Sequence, residues 1–260
     1  MTSILKKITS KVKNKFKWKP KTKNLENLVT IGTHYGQWTI PDRFLDRNSV
    51  VYLFGAGEDI SFDVGIAQKY NCNVHIFDPT PRAKQHFDHL KKGIKNSVKV
   101  PINNDELTTY NLDSDKIDQI KFHEIGVWKQ QGNLKFYEPK NREHVSHSIV
   151  NIQKTSNYFE AEVDRLSNIL KTLGHNHIDL LKLDIEGAEY EVVNSMIEDQ
   201  IKPNVICIEY DEAYNPLDKD YLTRIRKSVI NLEDYGYSIV HDDGYHNYTF
   251  VLNEHFFDKG

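Results

Sequence analysis

The chain has 260 residues, of which 38% are hydrophobic, 27% charged and 11% aromatic; this excludes a disordered tail or a fibre and fits a globular domain with a short appendage. Its longest stretch without a strongly polar side chain, Val50 to Gly57, falls far short of the about 20 residues a membrane helix needs. Of the net charge of −3, nine lysines and no acid in residues 1–25 contribute +9, leaving −12 on residues 26–260, so a general nucleic-acid-binding surface is not expected.

In residues 1–25, Ile4, Ile8, Val12 and Phe16 recur at spacing four among lysines, the pattern of a basic amphipathic helix. Such a tail either lies weakly on an anionic membrane or a protein partner, or stays a solvated arm. Residues 26–260 read as one domain. The runs Val50–Phe54 and Asn73–Phe77 are strands; the first is followed by a helix with Ile60, Val64 and Ala67 in one stripe, the second by a helix over Pro81–Lys92. A polar connection, Asn103–Asp118, helical or irregular, leads to a third strand over Ile120–Val127.

Residues 129–163 read as an inserted meander carrying Leu134–Tyr137 and Ser148–Val150 as short β pieces. A helix near Asp164–Leu173 precedes a strand over Ile178–Asp184, a helix over Gly187–Glu198 and a strand from Val205 running into Glu209. After a helix over Asp218–Leu232, Tyr237–Val240 and Tyr248–Leu252 flank a glycine-bearing turn and form a closing hairpin. Alternating strands and helices of this kind build a mostly parallel sheet covered by helices, and the hairpin makes the last strand antiparallel to its neighbours. Cys72 and Cys207 form neither a CxxC pair nor a zinc-spaced cluster, so a reducing, cytoplasmic setting is expected.

Two constellations carry chemistry. Gly55, Ala56, Gly57, Glu58 and Asp59 stand at a strand-to-helix turn, where glycines let a ligand approach the backbone and suggest a nucleotide-type cofactor. The third glycine of a dinucleotide fingerprint is replaced by Ile60, which weakens a nicotinamide reading. Asp78, at the end of the second strand, either holds ribose hydroxyls or caps the entry of the next helix at Pro79-Thr80-Pro81. The second constellation is Lys182, Asp184 and Glu186, matched one helix later by Glu209 and Asp211. Ligands of open α/β sheets bind beyond the carboxyl ends of the strands, so these acids converge there as candidate bases or cation ligands.

The runs V-V-Y-L-F-G-A-G-E-D-I-S-F-D, V-H-I-F-D-P-T-P-R, E-V-D-R-L and I-D-L-L-K-L-D-I-E-G-A-E-Y-E-V-V resemble the FkbM-type family of S-adenosylmethionine-dependent methyltransferases over roughly residues 31–210. The resemblance implies a Rossmann-like methyltransferase fold with a seven-stranded sheet, S-adenosylmethionine as cofactor, and O-methylation of a small-molecule or glycan hydroxyl. It implies that Gly55, Ala56, Gly57, Glu58 and Asp59 border the methionine part, that Asp78 holds the ribose, and that Glu124 and Gly126 contact adenine. Many relatives carry Asp where this chain has Leu53, so Glu58, Asp59 or Asp63 would take over the methionine amine. Asp184, Glu186, Glu209 and Lys182 are the catalytic candidates, with magnesium on Asp184 and Glu209 as one possibility. His34, His144 and His147 are further candidate bases. A nicotinamide-dependent oxidoreductase and a catalytically silent module tethered by the tail are the alternatives.

Overall fold

The computed structural model describes residues 18–102, 105–140 and 147–256, with only the backbone described at 105–107. The amphipathic run Ile4–Phe16 and His144 lie outside the described residues. The chain order is β1 (Leu28–Ile31), β2 (Trp38–Pro41), β3 (Val50–Phe54), α1 (Ser61–Tyr70), β4 (Asn73–Phe77), α2 (Pro81–Lys95), β5 (Pro101–Ile102), β6 (Asp105–Thr109), β7 (Ile120–His123), β8 (Gly126–Val127), β9 (Gly132–Tyr137) and β10 (Tyr158–Asp164). Then follow α3 (Leu166–Leu173), β11 (Leu180–Leu183), α4 (Glu189–Glu198), β12 (Val205–Glu209), α5 (Tyr221–Asp234), β13 (Tyr237–Asp242) and β14 (Asn247–Leu252). No helix among the described residues is long and apolar enough to cross a membrane.

Seven strands form the central sheet in the order β13-β14-β12-β11-β3-β4-β7. β14 runs antiparallel between β12 and β13, and the remaining pairs are parallel, as the closing hairpin predicts. Alternation along each strand makes two cores. Val51, Leu53, Val74, Ile76 and Leu180 face α1 and α2, whereas Tyr52, Phe54, Leu181, Leu183, Ile206 and Ile208 face α3, α4 and α5. On β11 the same alternation turns Lys182 toward the side of Leu180 and α1. Strand order reverses between β3 and β11, and the crevice at their carboxyl ends is where such sheets take ligands.

Four sequence expectations are corrected. The third strand ends at His123; Gly126–Val127 leaves the central sheet and pairs with β10 in a separate three-stranded sheet, β8-β10-β9. β10 was hidden because Tyr158–Asp164 lies one exposed face to solvent and mixes acids with apolar residues. Ser148 makes only an isolated bridge to Tyr137. The 103–118 connection carries β6, which pairs antiparallel with β5 just ahead of it, and then runs without strand or helix into a short 3-10 turn at Ile117–Gln119, so it is irregular only in part. The boundary of the tail also moves: Thr22 bridges Ile239 on edge strand β13, Lys23 N donates to Ile239 O at 2.7 Å, and Trp18 and Leu25 pack on the two cores. Residues 18–25 thus belong to the folded body and shield the sheet edge.

Candidate functional site

The crevice is lined by the turns that follow β3, β4, β11 and β12. The ladder continues past the strands, with Gly55 N donating to Phe77 O at 3.1 Å and Asp184 N to Phe54 O at 3.2 Å, which draws the turns after β3 and β11 together. Gly55 adopts φ +84°, and a Cβ there would stand 1.7 Å from Asp184 O, so only glycine lets the two turns cross. Lys182 is buried, 5% exposed, and bonds both turns: its Nζ donates to Gly55 O at 2.6 Å and lies 3.0 Å from Asp184 Oδ2. The carboxylates of Asp184 and Asp63 hold its pKa above the ordinary value against desolvation. Lys182 therefore positions the glycine turn and Asp184 rather than standing at the reacting face.

Asp78 is 6% exposed and has both oxygens engaged. Oδ2 accepts from the amides of Ala56 at 2.9 Å and Gly57 at 3.2 Å; Oδ1 accepts from the Thr80 amide at 2.8 Å and the Thr80 hydroxyl at 2.6 Å. The capping role is the one these bonds show: Asp78 ties the glycine turn to the entry of α2, whose first residue is Pro81.

Of the three acids named in place of Leu53, none projects freely. Glu58 forms a two-bonded pair with Arg82, at 3.1 and 2.7 Å. Asp59 accepts from the Ser61 amide at the start of α1 at 3.0 Å and from Thr33 Oγ1 at 2.5 Å. Asp63 is buried beside Lys182, and desolvation pushes its carboxyl up to about 6. Leu53 itself is a core residue. Gly126 is buried: a Cβ there would meet Phe136 at 3.0 Å and Val163 at 3.1 Å of the inserted sheet and Pro79, in the turn after β4, at 3.6 Å, while Glu124 stays exposed after β7.

The second constellation does converge. Glu209 feels the charges of Asp184, Glu186 and Glu189, and Asp211 those of all four. Burial and these neighbours push Glu209 up to about 9 and raise Glu189 and Asp211 well above the carboxylate range. Glu189 Oε1 accepts from the amides of Gly187 at 2.9 Å and Ile185 at 3.3 Å. Glu186 takes a left-handed φ of 55°, and its carbonyl accepts from Ser148 Oγ, which ties the insertion to the site.

Magnesium does not fit these acids. Lys182 already occupies the Asp184 carboxylate, and no group of three or more His, Cys, Asp or Glu among the described residues is placed to hold a metal ion. The histidines do not converge either. His34 is exposed in the turn before β2, and His147 packs edge-on against Phe159 in the insertion. Sequence reasoning missed Glu189, whose position in the first turn of a helix two residues after Gly187 was its only signal, and Tyr35, which overlooks Asp184, Glu186 and Glu209.

Residues 49–239 match the family described as the Methyltransferase FkbM domain. No curated protein sequence matches the chain. A solved structure titled Methanococcus jannaschii fibrillarin pre-rRNA processing protein is similar to it at 13% identity, over 80% of this chain and 68% of that one, with a TM-score of 0.41.

Proposed function

The chain belongs to the FkbM methyltransferase family, and on that premise we propose that it transfers a methyl group from S-adenosylmethionine to a hydroxyl oxygen of a sugar, glycan or natural product. The observation that carries this reading is the meeting of the glycine turn with five carboxylates at the switch point of the sheet. A cationic sulfonium and ammonium are stabilised beside such a cluster, whereas the pyrophosphate of a nicotinamide dinucleotide would be repelled by it. The place of the third dinucleotide glycine is filled by buried Ile60, whose amide donates to Tyr110 OH at 3.2 Å.

Gly55, Ala56 and Gly57 would hold the donor against the backbone, with Asp78 shaping that turn and the acids after β11 and β12 facing its positive charge. The donor, when bound, supplies an activated methyl carbon. What remains for the chain is to align an acceptor oxygen and relieve it of its proton. Asp184, whose Oδ2 is held by the Lys182 ammonium, would accept that proton. Glu209, neutral in the free protein, offers a hydrogen-bond donor to an acceptor oxygen until a nearby positive charge ionises it. Exclusion of water falls to the Thr33–Gly36 turn above Asp59 and to the insertion anchored through Ser148.

Calorimetry with S-adenosylmethionine, with NADH as the control, tests this reading. Micromolar binding of the methyl donor with NADH silent is the expected result. Binding of NADH in its place would restore the oxidoreductase alternative, and binding of neither would leave a silent module.

A further inference from the structure

Five large apolar or aromatic side chains are strongly exposed among the described residues, and three of them are tyrosines on the loops at the carboxyl edge of the sheet: Tyr35 at 82%, Tyr245 at 66% and Tyr214 at 50%. Exposed rings gathered on one rim mark a contact surface more often than scattered ones do. Each sits on a turn that is pinned. Thr33 Oγ1, bonded to Asp59, also accepts from the amides of Tyr35 at 3.2 Å and Gly36 at 3.1 Å, and Gly36 lies so close to the Asp59 carboxyl that a Cβ would meet it at 2.8 Å.

Tyr214 ends the short turn after β12, its amide donating to Asp211 O at 3.0 Å. Tyr245 lies in the β13–β14 turn, with its amide bonded to Asp243 Oδ1 at 2.7 Å. That turn is brought to the same edge by register: Asn247 pairs with Glu209, and Tyr210 N donates to His246 O at 3.3 Å. Tyr35 feels the charges of Asp184, Glu209 and Glu186, while Tyr214 feels those of Glu209, Asp211 and Asp243 and the Tyr245 hydroxyl. The three rings therefore stand on three separate loops along the edge where β12 ends at Glu209.

We propose that Tyr35, Tyr214 and Tyr245 form the acceptor platform of the enzyme and that it takes an uncharged pyranoside, the rings stacking on the C–H faces of the sugar while Asp184 and Glu209 bond its hydroxyls. Flat rings held on pinned turns offer contact area at low entropic cost. Neutral Glu209 donates to a sugar oxygen, while the other carboxylates of this edge accept hydroxyl hydrogens and repel carboxylate- or phosphate-bearing sugars. This rests on the methyl-transfer reading and narrows its acceptor.

The test pairs an array of immobilised neutral and acidic glycans with calorimetry of S-adenosylmethionine, on the full chain. The wild type is expected to retain neutral glycans and at least tenfold less of their acidic counterparts. Tyr214→Ala and Tyr245→Ala should each lower retention at least fivefold, Tyr214→Phe and Tyr245→Phe should preserve it, and donor affinity should move less than about twofold. Preference for acidic glycans, indifference to loss of the rings, or no retained glycan by a protein that binds the donor would each overturn the platform. Ring-dependent glycan binding without donor binding would keep the platform and remove the methyl-transfer reading instead.

Discussion

Asp78→Ala separates two roles that share one carboxylate. In the folded chain Asp78 accepts four hydrogen bonds, three from the buried Ala56 and Thr80 and one from Gly57, which is partly open to solvent. On truncation, water reaches the Gly57 amide and the Thr80 hydroxyl turns to another partner, but the amides of Ala56 and Thr80 stay buried without one. Each such orphan costs about 1–3 kcal/mol, so a loss of about 3 kcal/mol is expected in the absence of any ligand. For a chain of this size that corresponds to a fall of about 6–12 °C in Tm. Urea unfolding of the ligand-free protein, wild type against variant, reads the effect directly, with an unchanged denaturant dependence if the fold is otherwise intact. A variant within about 0.5 kcal/mol of wild type that nevertheless loses S-adenosylmethionine would refute the structural role and leave Asp78 as a ribose ligand alone.

Gly55→Ala forces a Cβ to within 1.7 Å of Asp184 O at a left-handed φ, so the glycine turn must move; donor binding should weaken more than tenfold and the thermal midpoint should drop, both read in one calorimetric series. His75, packed against His123 and His175 with its Nδ1 3.0 Å from His123 Nε2, is pushed down to about 4 by burial. The unfolded imidazole takes its proton near 6.5, so stability is unaffected above pH 6.5 and falls as pH drops from there toward 4, by about 3 kcal/mol in urea titrations; a flat profile over that range would contradict it. Glu209 stands at about 9, so a bound cation should expel its proton: at pH 8, binding enthalpies in buffers of different ionisation heat should reveal proton release that Glu209→Gln abolishes. Methyl transfer should survive EDTA unchanged, since Lys182 holds the carboxylate a metal would need.

The sheet was legible because strands buried on both faces read as continuous apolar runs bounded by turn residues. Val50–Phe54 and Asn73–Phe77 were placed to the residue, and Val205 was read through to Glu209. The pieces that failed lie where that signal fades. β5 and β8 have two residues each, β6 is the mostly polar run Asp-Glu-Leu-Thr-Thr, and β10 exposes one face, so propensity alone does not distinguish them from coil. The same limit governed the site. Glycines and acids at strand ends were visible as spacing, but Lys182 facing inward beneath Gly55, and Gly126 closed over by Phe136, depend on contacts between segments far apart in the chain. The three rim tyrosines lie on three loops that only the register of β14 against β12 and the packing of the Thr33–Gly36 turn bring together.

The buried pair beneath that rim explains how so many acids share one edge. Glu189 Oε2 and Asp211 Oδ2 are both enclosed and neither has a donor from the rest of the protein, while the two side chains are within hydrogen-bonding reach of each other. A single proton held between them satisfies both oxygens and removes one negative charge from the cluster. Glu189 then remains free to fix the amides of Ile185 and Gly187 through its other oxygen, and so holds Glu186 in its left-handed conformation. Glu189→Gln supplies the same hydrogen bond from an amide and should keep the fold, whereas Glu189→Ala leaves Asp211 buried and alone and should destabilise it by several kcal/mol in urea unfolding. The carbonyl stretch of a protonated carboxylic acid, present in the infrared spectrum of wild type at pH 7 and diminished in Glu189→Gln, is the signature of the shared proton; equal spectra for the two proteins would show that the pair is not what keeps the charge at the switch point in balance.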